Sequence, residues 1–74
     1  MNRLANFSGS NILSFLYKKG FSLISQKGSH QKLRKVLEGK IITVIVPNHS
    51  ELAPGTLRNI LRQAEITLNE FLEN

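Results

Sequence analysis

Two glycine turn signals, Lys27-Gly28 and Glu38-Gly39, punctuate the middle of the chain and constrain its fold more than any other feature. Each is too short for a crossover, so the strand-like stretches it joins must pair antiparallel. Phe21 to Gln26 alternates, with Phe21, Leu23 and Ser25 on one side and Ser22, Ile24 and Gln26 on the other. Ser29 to Leu37 reads as a second strand whose faces differ in chemistry. His30, Lys32, Arg34 and Val36 share one face, and Gln31, Leu33, Lys35 and Leu37 share the other. Lys40 to Val46 is a β-branched run that reads as a central strand buried on both faces, and Pro47 ends its ladder.

Helices flank this region. Ser8-Gly9-Ser10-Asn11 carries N-cap residues, and Ile12, Leu13, Leu16 and Tyr17 then recur at helical spacing. Lys18 and Lys19 suit the C-terminal end of that helix, with Gly20 just past it. Asn48 to Ala53 is a polar loop. Pro54, Gly55 and Thr56 open a second helix, with Leu57, Ile60, Leu61 and Ala64 on the face that packs against the sheet. Gly55-Thr56 at that helix start reads as a cap. Thr67 to Glu70 has the capping-box form and predicts a short last helix to about Leu72. The order helix, strand, strand, strand, helix, plus a short terminal helix, predicts an α+β fold: a three-stranded antiparallel sheet with helices on one face. The other face is left open, and His30, Lys32 and Arg34 should project from it.

The chain has 74 residues and no cysteine, so neither disulfides nor a thiolate metal site supplements the core. Residues 1–74 are expected to form one domain, and a chain this short buries only about 60% of its unfolded surface. The two histidines and five glutamates are scattered, so no metal site is expected. The apolar stretch Ile12 to Ile24 is broken by Lys18, Lys19 and Gly20, short of the roughly 20 residues of a membrane span. The N-terminus lacks a signal peptide's apolar core and small-residue cleavage site. A soluble cytoplasmic protein with no membrane partner is expected.

The net charge of +5 and pI near 10.1 favour an acidic partner. The run Lys27-Gly28-Ser29-His30 sets a histidine, the side chain whose unperturbed pKa lies nearest neutrality, just past a glycine turn and among cations. That placement suggests chemistry on a polyanion. Lys32 and Arg34 align with it at period two, and Arg58 and Arg62 share one helix face four residues apart.

The chain resembles the HicA-type toxin family, the small mRNA interferases of type II toxin–antitoxin pairs. The matching pieces are Lys18-Lys19-Gly20-Phe21, Gln26-Lys27-Gly28-Ser29-His30, Thr43-Val44 to Val46-Pro47, Pro54-Gly55-Thr56-Leu57-Arg58 and Ile60-Leu61-Arg62-Gln63-Ala64. The resemblance implies a double-stranded-RNA-binding-domain-like fold. It also implies a metal-independent endoribonuclease without a small-molecule cofactor, acting on mRNA and neutralised by a HicB-type antitoxin. The family's catalytic histidine falls on His30, and its loop histidine falls on His49, for which an auxiliary role is expected. The family commonly has a second histidine or an aromatic near Gly-Ser-His, where this chain has Gln31 and Leu33. Glu65 stands where the family's second helix commonly ends in glycine.

RNA carries its own nucleophile, the 2′-hydroxyl, so cleavage needs a proton remover and stabilisation of the charge that builds on phosphorus. His30 would be the base, or the acid toward the leaving 5′-oxygen. Lys27, Lys32 and Arg34 would hold phosphates, with the amides of Gly28 and Ser29 approaching closely because glycine has no side chain. Arg58 and Arg62 would bind RNA or a carboxylate-rich antitoxin. The rival reading is a non-catalytic double-stranded-RNA-binding module, which must span minor grooves and intervening phosphates. Against it, the start of the second helix offers only one cation, Arg58. A third reading is an adaptor with no RNA role, its basic charge matching an acidic protein.

Overall fold

A computed structural model describes residues 3–73, so the two ends of the expected 1–74 domain lie outside the described residues. The elements run α1 (Gly9–Lys18), β1 (Ser22–Lys27), β2 (His30–Leu37), β3 (Lys40–Pro47), α2 (Pro54–Ala64) and α3 (Leu68–Leu72). Ser8 caps α1 through a capping box. Its hydroxyl accepts from the Asn11 amide at 3.1 Å, and the Asn11 side chain accepts from the Ser8 amide at 2.8 Å. Gly20 (φ 94°) ends the helix, and the amides of Gly20 and Phe21 donate back to Tyr17 and Leu16 in a Schellman turn. Phe21 therefore belongs to the helix terminus, buried in the core, and not to the first strand.

The sheet order is β1-β2-β3, antiparallel throughout. The β-branched third strand is thus an edge strand, not the central one expected from its composition. Two two-residue turns join the strands in chain order, which leaves β2 in the middle. Ile42, Val44 and Val46 point inward, while Ile41 on the other face remains 61% exposed. A second departure lies in β1. Leu23 pairs with Leu33, yet Ser25 pairs with Lys32, so Ile24 is the extra residue of a β-bulge. The bulge shifts the alternation and moves Ser25 onto the same face as His30.

The Glu38-Gly39 turn lies where expected, whereas the first turn falls at Gly28-Ser29, not Lys27-Gly28, because Lys27 pairs with His30 as the last rung between β1 and β2. Glu38 (φ 52°) and Gly39 (φ 79°) both lie at positive φ, the pattern of a type I′ hairpin. In the Gly28-Ser29 turn only Gly28 is left-handed (φ 61°), the type II′ pattern. The helices cover one face of the sheet through a cluster that includes Leu33, Val44 and Val46 with Leu16, Leu57 and Ile60. Leu4 and Leu52, from segments with no helical or strand period, are buried in the same cluster. Ala53 precedes α2 without a side-chain cap, and Pro54 fills the first turn, so Gly55 and Thr56 lie inside the helix and do not cap it. Thr67 caps α3 by accepting from the Glu70 amide at 3.1 Å.

Candidate functional site

The strand register lays out the open face as a grid. Its first row is Lys27, His30 and Pro47; its second is Ser25, Lys32 and Ile45; its third is Ser22, Arg34 and Thr43. His30 is the first residue after the type II′ turn and sits directly across from Lys27. Period two therefore brings His30, Lys32 and Arg34 to one face as expected, and the pairing adds Lys27 from the neighbouring strand. A shallow depression of about 190 Å³ is lined by Ser25, Lys27, His30, Gln31, Lys32 and Ile45. A depression of about 320 Å³ between the N-terminal segment, α1 and α3 is lined by aromatic rings with Lys18 as its one titratable group, and it holds no acid–base pair.

Electrostatics distinguish this face. Ion pairs join Lys19 to Glu70 at 2.9 Å and Lys40 to Glu65 at 2.7 Å, both away from His30. Among the described residues, Lys27, Lys32 and Arg34 have no carboxylate partner. Arg34 Nε is also shielded from solvent without a hydrogen bond among the described residues. The cations on the open face are thus unneutralised, as a site for polyanions requires. No cluster of three metal-ligating side chains occurs among the described residues.

The turn that presents His30 is held from both sides. Gln31 donates to the Gln26 side chain at 3.1 Å, and Gln26 donates to the Gly28 carbonyl at 3.3 Å. The Asn48 amide donates to the Ser29 carbonyl at 2.7 Å. Ser29 thus serves the turn through its backbone. Gln26 and Gln31 escape a sequence reading because they share the face opposite His30, and only the cross-strand pairing brings them together.

The same contacts bring His49 to the site. Its ring lies edge-on to that of His30, with centroids 6.5 Å apart and planes at 79°. Its loop touches α1 at Gly9, whose amide donates to the His49 carbonyl at 2.8 Å. A Cβ on Gly9 would lie 2.7 Å from both Asn48 Cα and the Pro47 carbonyl oxygen, so no larger residue fits there without displacing the loop. Gly9 is a site-building residue that the capping pattern of Ser8 to Asn11 conceals. Arg58 and Arg62 are exposed on α2, in the helical layer, and do not line the depression beside His30. Arg62 donates to the Asn59 side chain.

The sequence model of the family described as HicA toxin of bacterial toxin-antitoxin matches residues 9–66. The chain belongs to the HicA toxin family. The match begins at Gly9, where α1 meets the His49 loop, and ends just after the left-handed residue Glu65. It includes every candidate residue of the open face. HicA membership carries the role of toxin in a toxin–antitoxin pair and with it an antitoxin partner. No curated protein matches the chain. No helix among the described residues is long and apolar enough to cross a membrane.

Proposed function

We propose that this toxin is a metal-independent endoribonuclease of the cytoplasm that cleaves mRNA on its open sheet face, with His30 in acid–base chemistry. The observation that carries the reading is the grouping of an exposed histidine with three unneutralised cations on one sheet face, Lys27 and Lys32 lining the same depression as His30 and Arg34 in the next row of the register. His30 exchanges a proton with the 2′-hydroxyl or the 5′-oxygen, a step worth about 10²- to 10⁴-fold when the group is positioned. Lys27, Lys32 and Arg34 hold the backbone phosphates and offset charge in the transition state. Gly28 and Ser29 let the backbone approach the RNA, because nothing stands within 4 Å of where a Gly28 side chain would be.

Replacing His30 with alanine tests this reading. Purified wild-type protein should cleave single-stranded RNA in the presence of EDTA. The His30→Ala variant, with unchanged circular dichroism, should not. Retained cleavage by a folded variant would remove His30 from the mechanism, and activity restored only by a divalent ion would contradict the metal-free route.

The antitoxin in this reading is of the HicB type and covers the His30 face with an acidic or substrate-mimicking element. That face also exposes the cross-strand apolar pair Val36 and Ile41, 66% and 61% accessible, which supplies surface for a protein partner to bury. Arg58 and Arg62, exposed in the helical layer, lie outside that covered face and remain auxiliary, offering charge to RNA or to a further acidic segment of the antitoxin. Saturating antitoxin should silence cleavage; a fully active complex would place the antitoxin elsewhere.

A further inference from the structure

We propose that His49 is the second acid–base group of the reaction, paired with His30 across a single phosphodiester. The proposal rests on the ribonuclease reading above and deepens it. Cleavage by the 2′-hydroxyl needs two proton transfers. One proton leaves O2′ as the O2′–P bond forms, and one arrives at O5′ as the P–O5′ bond breaks. The products are a 2′,3′-cyclic phosphodiester and a 5′-hydroxyl. No electrons change hands and no water is consumed; the two groups finish with exchanged protonation states, which solvent resets.

One histidine supplies half of this. The other half needs a group near the same phosphate, and the glutamates are poorly placed. Glu38 lies in the turn at the far end of β2, Glu65 and Glu70 are in ion pairs, and Glu73 follows the terminal helix. Glu51 is exposed and makes no hydrogen bond or ion pair with either histidine among the described residues. His49 is the titratable group whose ring meets that of His30, at 6.5 Å between centroids. An acid or base needs an approach of roughly 2.6–3.2 Å to its proton partner, so one phosphodiester seated over the two rings is within reach of both. Both side chains are exposed and open to substrate.

The position is also fixed, as catalysis requires. Three backbone hydrogen bonds hold the segment: Asn48 amide to Ser29 carbonyl at 2.7 Å, His49 amide to Pro47 carbonyl at 2.9 Å, and Gly9 amide to His49 carbonyl at 2.8 Å. They tie the Asn48-His49 backbone to the Gly28-Ser29 turn, to Pro47 at the end of β3 and to Gly9 at the start of α1.

The test compares His30→Ala, His49→Ala and His49→Gln on ordinary RNA and on RNA whose scissile 5′-oxygen is replaced by sulfur. A thiolate leaves without a proton, so the substitution relieves the need for an acid but not for a base. On ordinary RNA each His49 variant should lose about 10²- to 10⁴-fold in rate, with melting curves like the wild type. On the sulfur substrate, one histidine's variants should recover to near the wild-type rate and the other's should not. Wild-type products should end in a 2′,3′-cyclic phosphate and a 5′-hydroxyl. His49 variants within about threefold of wild type, or equal rescue of both positions, would overturn the pairing while leaving the ribonuclease reading intact. Wild-type protein that cleaves no RNA, or a fully active His30→Ala, would overturn that reading and the pairing together.

Discussion

Gly9 and Glu65 are residues whose backbone conformation or close packing decides their worth, and each makes an expectation with a definite sign. Gly9→Ala sets a Cβ 2.7 Å from two backbone atoms of the Pro47-Asn48 segment. Backbone cannot rotate away as a side chain can, so the variant should lose about 1–3 kcal/mol in urea unfolding. It should also cleave RNA more slowly, because the displaced loop carries His49. Glu65 closes α2 at φ 60° and ψ 39°, a conformation that disfavours any residue with a Cβ. Its ion pair with Lys40 is about half exposed on both sides and so is worth only about 0.2–1 kcal/mol. Glu65→Gly should therefore raise stability by about 0.5 kcal/mol, and a shift of that size moves the melting temperature of so small a domain by a few degrees. Glu65→Ala keeps the strain and loses the pair, and should lower it. A melting series of the three proteins checks both signs.

At the scale of elements, the helices and turns are legible in the sequence because their signals are local. Ser8, Gly20, Pro54 and Thr67 mark helix ends by capping or by ring and glycine chemistry within a few residues. The alternation of β2 gives the His30 face directly. What escapes is set by pairing between strands. The bulge at Ile24 has no composition of its own, and the edge position of β3 follows from two tight turns, not from its β-branched run. One donor of that edge is occupied: the Ile45 amide donates to the Gln63 side chain of α2 at 3.2 Å, which removes one edge group that could recruit another strand. The His30–His49 approach is likewise a product of tertiary contact between the β3–α2 loop and α1. The two glycines with open surroundings separate turn from helix. Gly28→Ala forces a Cβ into φ 61° and should lose about 1 kcal/mol. Gly55→Ala, inside α2 with nothing within 4 Å, should gain up to about 1 kcal/mol. Equal effects of the two substitutions in denaturant unfolding would contradict the assigned turn.

The whole molecule is a small sheet with a helical layer on one side and unpaired positive charge on the other. Binding of single-stranded RNA should weaken with salt. On the proposed reading, three phosphate contacts from Lys27, Lys32 and Arg34 should give a slope of log affinity against log salt of about −2, at roughly −0.7 per contact. Titrating the His30→Ala variant, which the proposed reading expects not to cleave, with RNA at several salt concentrations measures that slope. The account rests on placement of charge, beyond its total. Lys32→Ala/Arg34→Ala and Lys18→Ala/Lys40→Ala each lower the net charge from +5 to +3 (+5 − 2), one on the open face and one away from it. Measured as kcat/KM on one RNA, the open-face pair should fall by about tenfold or more, a loss of about 1.4 kcal/mol, while the distant pair stays within about threefold of wild type. Equal losses would mean that the RNA reads only overall charge, and a greater loss from the distant pair would place the working surface away from His30.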